Sequence, residues 1–413
     1  MQLSDIADIA EKRTGDSALT QRHPHSWSRD LWRDRVDTAF LDRLRATVAE
    51  HVLPDADGID RDDRYPVAAI KALARAGFSS LTLPVRWGGQ DASFTHCAAV
   101  FEEASYASAA VGISLITIMQ AQTLIKLFGA ESLQDAVLPE FAAGLITSYA
   151  LTEANHGSDI RSLDTKAVRD GTGWRLDGRK SFITSGSAAE AYIVLAETER
   201  GVSTFLVRRD MPGVSTHNGE NAATFGLRNG PHVDLILEGV KVPADHLIGE
   251  EGRGVRQAVT TLDFSRTMAG AISIGIARAA FDGALAFAAN RAAFDRNVLD
   301  FQGIQWYFAD MLSDVDAARL LVYEACDALD AHRDIARYGS EAKLVASRVA
   351  TRVAEQAVQI CGAYGVTENA PFGRYLRDAK AYEIAGGSSE ILKNTIAKHL
   401  SRFAASHLAA SSS

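Results

Sequence analysis

Cysteine is scarce in this chain of 413 residues: Cys97, Cys326 and Cys361 are all it has. An odd number, far apart and with no CxxC pair, argues against a disulfide framework and against a zinc site. A reducing, cytoplasmic compartment is the expectation. Positive charge is short as well, with 43 Lys+Arg against 52 Asp+Glu and a net charge of −9. Non-specific nucleic-acid binding needs a basic surface that releases counterions, so that class is excluded. Long hydrophobic runs are missing too. The most apolar stretch, Ala109 to Met119, meets Gln120 and Gln122, short of the ~20 apolar residues a bilayer span needs. The opening MQLSDIADIAEKRTGDS has no hydrophobic signal-peptide segment. Neither a membrane nor secretion is expected. Proline is rare at 9 residues and glycine is not, at 32. This length and 47% hydrophobic content suit two or three domains that fold without staples.

What is present changes period twice. Residues 1–33 are polar, contain Trp27 and Trp32, and read as an N-terminal extension. From 34 to 146 the pattern is helical. Leu41, Leu44, Val48 and Val52 recur at three- and four-residue spacing, and Val67, Ile70, Leu73 and Ala76 repeat it. Phe78 to Gly89, with its Pro and double Gly, is a loop between helices. From 147 to 254 short β-rich runs take over, such as Tyr192-Ile-Val-Leu-Ala, Ser203-Thr-Phe-Leu-Val and Val233-Asp-Leu-Ile-Leu. Asp177-Gly178 and Asn218-Gly219 read as turns between them, which predicts a small antiparallel sandwich or barrel. From 255 to 413 long helices return: Val255 to Arg291, Phe301 to Ala331, a third carrying Val345, Val349, Val353, Ala357 and Ile360, and a last after Ser388. The fold class expected is therefore α+β: an N-terminal helical domain, a central antiparallel β-domain and a C-terminal four-helix bundle.

Several motifs carry chemistry in one reading and plain structure in another. Tyr149-Ala-Leu-Thr-Glu-Ala-Asn-His-Gly-Ser-Asp159 sits where helix gives way to strand and gathers hydroxyls and backbone N–H groups; as structure it is a domain-junction loop with a cap. Thirty residues on, Gly178-Arg-Lys-Ser-Phe-Ile-Thr-Ser185 offers an aromatic and a threonine that could lie against a planar ring. Gly173 to Ser181 resembles a phosphate-binding loop with its lysine one place late, but flanking strands exclude the helix N-terminus such a loop feeds. Gly249, Gly252 and Gly254 have the wrong spacing for a dinucleotide fingerprint. Arg291-Ala-Ala-Phe294 either satisfies helix-end carbonyls or presents a planar fork to a pyrophosphate. Gln359-Ile-Cys-Gly362-Ala-Tyr-Gly365 ends a helix, as a cap or as a close approach to a ligand. Arg377-Asp-Ala-Lys-Ala-Tyr-Glu-Ile-Ala-Gly386-Gly387-Ser388-Ser389-Glu390 is a Gly-Gly loop entering a helix, with Ser and Glu placed to cap it.

In this order and at these intervals the motifs resemble one family, the FAD-dependent acyl-CoA dehydrogenases, over about residues 34–405. Leu83-Pro84 through Gly88-Gly89, Leu138-Pro139 through Gly144, Phe225-Gly226-Leu227-Arg228 and Val242-Pro243 through Gly249 also carry the resemblance. It implies FAD between the β-domain and the bundle. Tyr149, Leu151 and Thr152 would line the isoalloxazine, Phe182 would stack on it, and Thr184 would sit near N5. Gly157 falls in a loop that meets FAD, and Ser158 would touch either its phosphates or the substrate's pantetheine arm. Arg291, Phe294, Gln302, Gln359, Gly362 and Ala363, which replaces a usual glycine, would hold the pyrophosphate and adenosine from a neighbouring subunit. Ser388 and Glu390 would close the site near the ribityl chain. Shared sites imply a homodimer or homotetramer. Asp263 and Arg266, in Leu262-Asp-Phe-Ser-Arg266, would contact the pantetheine arm of an acyl thioester carried on CoA or a carrier protein. Gly386 and Gly387 would border the same substrate, and an electron-transfer flavoprotein or O₂ would accept the electrons. No metal is implied.

One departure bears on the chemistry. Dehydrogenation removes an α-proton with a carboxylate while a β-hydride moves to the flavin. The family places that Glu at residue 386 or, in some members, at residue 265; here they are Gly386 and Ser265. Asp263, Glu383 and His156 remain as candidate bases, or a partner subunit supplies one. Three other readings stay open: a decarboxylating flavoenzyme in which CO₂ loss replaces proton abstraction, a flavin monooxygenase, and a non-catalytic FAD-binding subunit. The Asp263–Arg266 segment and the Arg377-Asp-Ala-Lys380 segment favour thioester chemistry.

Overall fold

The computed structural model describes residues 35–220, 222–333 and 335–411. The expected extension over 1–33, with Trp27 and Trp32, lies outside the described residues. Among the described residues six helices come first: α1 (Thr38–His51), α2 (Ala56–Asp62), α3 (Val67–Arg75), α4 (Phe94–Ala107), α5 (Ala109–Phe128) and α6 (Glu131–Ala142). The α1 helix shows why the periodicity was informative. Asp37 accepts the Phe40 N–H at 2.8 Å as its N-cap, and Phe40, Leu41, Leu44 and Val48 form its buried stripe.

The expectation for Ala109 to Met119 needs extending. That stretch is the first half of α5, 20 residues long, with Gln120 and Gln122 inside the helix. Gln122 donates to the Ser79 carbonyl at 2.7 Å and Gln120 to Ser265 Oγ at 3.3 Å, so both amides are buried with partners. By length and composition α5 and a later helix, Gly254–Asn290, would each cross a bilayer, yet 83% and 72% of their apolar windows are buried within the protein. They are core helices.

Strands β1 (Thr147–Ala150), β2 (Lys166–Asp170), β3 (Gly173–Ile183), β4 (Ala191–Thr198), β5 (Gly201–Arg208), β6 (Val214–His217) and β7 (Val233–Val242) form one seven-stranded sheet in the order β1-β4-β2-β3-β7-β6, with β5 on β4. Its hairpins are antiparallel, but β1 and β2 each meet β4 in parallel. The sheet is therefore mixed. Tight turns enforce antiparallel neighbours, whereas β1 and β4 are joined by a long excursion that sets no direction. A second difference concerns Asp177-Gly178, which is no turn. It lies inside β3, where the register against β7 shifts between Leu176 and Gly178. A Cβ on Gly178 would stand 2.6 Å from the Cα of Thr165, so glycine is needed for the two backbones to approach. Trp174 and Phe205 meet edge to face at 5.2 Å in the sheet's own core.

The chain then enters α7 (Gly254–Asn290), a small hairpin β8 (Ala292–Ala293) and β9 (Arg296–Asn297), and helices α8 (Gln302–Asp330), α9 (Ile335–Cys361), α10 (Phe372–Tyr382) and α11 (Ser389–Ser411). Four are the long helices expected; α10 is an addition. Arg377-Asp-Ala-Lys380 lies on it rather than in a loop. Its polar face reaches across the molecule. Arg377 pairs with Asp60 and donates to the Phe225 carbonyl at 2.9 Å, while the buried Asp378 accepts the Leu227 N–H at 2.6 Å. Arg374 pairs with Asp57 at 2.9 Å. The Arg377–Lys380 segment thus ties helices of the two ends to the sheet's 225–227 loop. Its presence speaks for the fold, and it gives thioester chemistry no separate support.

Candidate active site

The glycine pair lies between α10 and α11. Gly386 (φ +71°) and Gly387 (φ +110°) both occupy backbone that favours glycine. A Cβ on Gly386 would meet nothing within 4 Å, whereas one on Gly387 would lie 3.5 Å from Arg266 Nη2 and 3.8 Å from its Nε. Arg266, on α7, therefore faces this loop. Arg266 Nη1 donates to Asp263 Oδ1 at 2.6 Å, one helical turn back, and both residues are buried. Arg266 Nε is buried without a partner. Beneath the loop stands Lys343, fully buried, whose Nζ donates to the Gly387 carbonyl at 2.7 Å and the Glu383 carbonyl at 3.3 Å. Burial, reinforced by the neighbouring Arg266 charge, pushes its pKa down to about 7.

The candidate bases fall in different places. Ser265 Oγ donates to the Leu262 carbonyl at 3.1 Å and accepts from Gln120 at 3.3 Å. Its hydroxyl is engaged, with no histidine or carboxylate to activate it. Asp263 faces Arg266, and Glu383 caps α10 with its carboxylate 3.2 Å from Lys380 Nζ. His156 lies in the loop after β1, its Nε2 3.5 Å from Asp164 Oδ1. Asp263 reaches the glycine pair by its carboxylate through Arg266, and Glu383 by its backbone carbonyl through Lys343.

A second group of the expected site residues lies on the sheet. Phe182 is 48% exposed although it is a large aromatic, and its backbone is held at φ +57°, where β3 loses register before Ile183. Non-glycine residues in that region cost about 1–3 kcal/mol and persist where surrounding structure imposes them. What imposes it here is a buried polar frame. Ser181 N donates to the Thr152 carbonyl at 2.9 Å, Ser148 Oγ to the Thr184 carbonyl at 2.5 Å, and the Ser185 hydroxyl accepts from Thr117 at 3.2 Å and Asn229 at 3.1 Å. Lys180, fully buried, pairs with Glu153 at 2.7 Å. Burial pushes the lysine down to about 8; the Glu153 carboxyl, which burial alone would raise, is drawn to about 2 by Lys180 and the Thr165 and Asp164 N–H groups. Glu153, His156 and Asp164 come within metal-binding distance of one another, but the Lys180 ammonium already matches Glu153. Tyr149, half-buried, carries a buried hydroxyl with no partner. Leu151 is buried beside it and Thr152 half-buried, while Gly157 and Ser158 are exposed.

A separate group forms at the far end of the bundle. Phe287 of α7 stacks on Tyr364 at 5.4 Å, which brings the ends of α7 and α9 together. Arg291, Gln302, Gln359, Gly362 and Ala363 are exposed there, and Phe294, 89% exposed, meets Phe301 edge to face. Ser388 and Glu390 open α11. The Ser388 hydroxyl and the Glu390 backbone N–H lower the exposed Glu390 carboxyl's pKa, as a helix cap does. Sequence pattern alone gives neither Lys343 nor Gln120 a place beside these groups. A lysine spaced four, three and seven residues from Gly339, Ala346 and Ala350 was the available signal for a buried ammonium.

The order of helical, sheet and helical domains and the family to which they match define a flavin-dependent oxidoreductase. Residues 36–145, 148–240 and 252–401 match, in turn, the N-terminal, middle and C-terminal domains of acyl-CoA dehydrogenase. The chain belongs to the acyl-CoA dehydrogenase family and is an FAD-dependent oxidoreductase. It is 35% identical to the probable acyl-CoA dehydrogenase FadE25 of Mycobacterium tuberculosis over 87% of this chain and 94% of that protein. Butyryl-CoA dehydrogenase from Megasphaera elsdenii superposes with a TM-score of 0.85 at 31% identity, covering 88% of this chain and 97% of that one. The prolyl acyl carrier protein oxidase AnaB gives 0.83 at 25% identity, covering 88% and 99%. The exposed Phe182 ring, the orphaned Tyr149 hydroxyl and the open approach at Gly362 fit a bound flavin dinucleotide.

Proposed function

We propose that the protein oxidises an acyl thioester at its α,β-carbons without a protein carboxylate at residue 386 or 265. FAD, when bound, would supply the acceptor for the β-hydride. Tyr149, Leu151, Thr152, Phe182 and Thr184 hold its ring system, with Gly157 and Ser158 beside it and Ser388 and Glu390 near its ribityl chain. Arg291, Phe294, Gln302, Gln359, Gly362 and Ala363 serve the dinucleotide of a second copy, because they are exposed on a different domain from the ring pocket. That division makes the protein a homodimer or homotetramer of a helical (34–146), a β (147–254) and a helical (255–413) unit.

The observation that carries the reading is the pairing of an intact Asp263–Arg266 segment with open room at Gly386. The thioester pocket is kept while the usual base is gone. Asp263, one side chain from the glycine pair, is the base of choice within the chain. A second reading draws on the same place: CO₂ loss from a carboxylated acyl group forms the enolate with no base at all. The relatives act on CoA and on carrier-protein thioesters by their names, so both carriers are within the proposal, as are an electron-transfer flavoprotein and O₂ as acceptors. The three free, buried cysteines suit a reducing cytoplasm. Anaerobic mixing of the yellow protein with a panel of acyl thioesters tests it: bleaching of the flavin band with an enoyl product is expected. No bleaching with any thioester, together with an oxygenated product when an external flavin reductase and O₂ are supplied, overturns it.

A further inference from the structure

We propose that Asn229, oriented by His232, is a positioning residue for the flavin: it locks the turn Phe182–Ser185 from behind and so fixes the Thr184 side chain. This rests on the placement of Phe182 and Thr184 at the flavin proposed above, and adds two residues from a different loop.

The turn is held against its own preference. Phe182 (φ +57°) and Ser185 (φ +62°) both lie in the left-handed region without being glycine, and they flank Ile183 and Thr184. Such backbone reverts to ordinary geometry unless surrounding groups hold it. Ser148 Oγ holds one peptide group by donating to the Thr184 carbonyl. The Ser185 side chain is the other handle, and Asn229 Nδ2 donates to its Oγ at 3.1 Å. Both Asn229 and Ser185 are fully buried. The hydroxyl of the half-buried Thr184 has no hydrogen bond among the described residues. It is the group that this turn leaves for a ligand.

The direction of each bond follows from counting protons. Ser114 Oγ, on α5, gives its single proton to the Ala110 carbonyl at 2.7 Å, so toward Asn229 at 3.0 Å it can only accept. The Asn229 amide must therefore present its NH₂ to Ser114 and Ser185 and its oxygen the other way. That oxygen lies 3.3 Å from His232 Nε2, and because an amide oxygen only accepts, Nε2 carries the proton. Burial draws the imidazole pKa down to about 4, so the ring is neutral and one tautomer is held at neutral pH. A one-way line of donors thus runs from His232 to Asn229 to Ser185, and ends one residue from Thr184. Gly230 lets the loop sit there. At φ +91°, a Cβ on it would stand 3.0 Å from Ser187 Oγ and 3.1 Å from the Tyr65 backbone nitrogen. The line joins the loop between β6 and β7 to the end of β3, so no local pattern announces it.

The test is made on the FAD-loaded protein and needs no thioester. Asn229→Asp keeps the side chain's size but replaces the NH₂ by an acceptor, so Ser185 loses its donor. Ser185→Gly removes the handle and the strain together; the two effects on stability oppose each other, and the FAD-free variant should unfold near the parent. Both are expected to weaken FAD about tenfold in fluorescence titration, the size of one hydrogen bond. Both should alter the balance between oxidised and reduced FAD by a similar factor, about 30 mV in the two-electron midpoint potential. His232→Gln retains an N–H for Asn229 and should keep the parent potential, whereas His232→Leu should move it in the same sense as Asn229→Asp. A merely structural role would lower the unfolding temperature and leave the potential of the loaded protein alone. Should Asn229→Asp fail to fold, Ser185→Gly carries the test by itself. Unchanged affinity and potential in Ser185→Gly overturn the proposal; equal potentials in His232→Gln and His232→Leu overturn the part given to His232. Phe182→Gly, run alongside, tests the underlying reading separately: FAD affinity that survives loss of the ring overturns the placement of this turn at the flavin.

Discussion

Gly386→Glu is the substitution from which most can be learned. The backbone there has φ +71°, which costs an L-residue about 1–2 kcal/mol. No steric cost is added, because nothing lies within 4 Å of the new Cβ and the position is exposed. The variant should therefore fold, with a stability loss of that size and no more. Its carboxylate enters a space bordered by the Nε–Nη2 edge of Arg266, whose charge favours the ionised form that removes a proton. Positioned general-base catalysis contributes roughly 10²–10⁴-fold, equivalent to about 3–5 kcal/mol of barrier. With butyryl-CoA, anaerobic stopped-flow bleaching of the flavin should accelerate by at least the lower figure. Thermal unfolding of the same sample measures the backbone cost separately. A variant that binds FAD and butyryl-CoA, unfolds within about 2 kcal/mol of the parent and shows no faster bleaching refutes the placement of residue 386 against the α-carbon.

Four further predictions follow from the same structure. Phe182→Gly removes a residue held at φ +57° and the ring proposed to stack on the flavin; the FAD-free protein should be as stable or about 1 kcal/mol more stable, while FAD affinity by fluorescence titration falls at least tenfold. Asp378→Ala deprives the buried Leu227 N–H of its acceptor and should cost about 1–3 kcal/mol in denaturant melts. Gly178→Ala drives a methyl to 2.6 Å from the backbone of Thr165 and should destabilise by roughly 1–3 kcal/mol, read as a lowered Tm. His232 titrates at about 4 in the fold because burial disfavours its charge, against an ordinary 6.5. The unfolded chain therefore takes up the proton first, so the full stability present above pH 6.5 is lost progressively as pH falls toward 4. The loss is up to about 3 kcal/mol, and His232→Gln should flatten the melting curve over that window.

Much of the architecture was legible because it depends on local periodicity. The stripe Phe40, Leu41, Leu44 and Val48 announces α1 without reference to anything else, and so does the four-residue spacing on α9. What misled was chemistry whose meaning depends on a distant neighbour. Asp177-Gly178 has turn composition but sits in β3 because Thr165 presses on it. Gln120 and Gln122 look like the end of an apolar run, yet Ser265 and the Ser79 carbonyl satisfy them inside α5. Arg377 and Asp378 read as part of a functional loop, whereas their partners Asp60 and Leu227 make them fasteners.

The glycine at 386, the order of helical, β and helical segments and the membership in a flavoenzyme family were all available from residue order, since each depends on which residue stands where along the chain. The folded arrangement was needed to learn what surrounds that glycine. Residues 263–266, 343 and 386–387 come from three separate elements, and only their packing brings them together. Periodicity cannot report such a grouping, because burial and counter-charge are properties of neighbours in space. Those neighbours place the glycine pair beside a buried guanidinium and a buried ammonium.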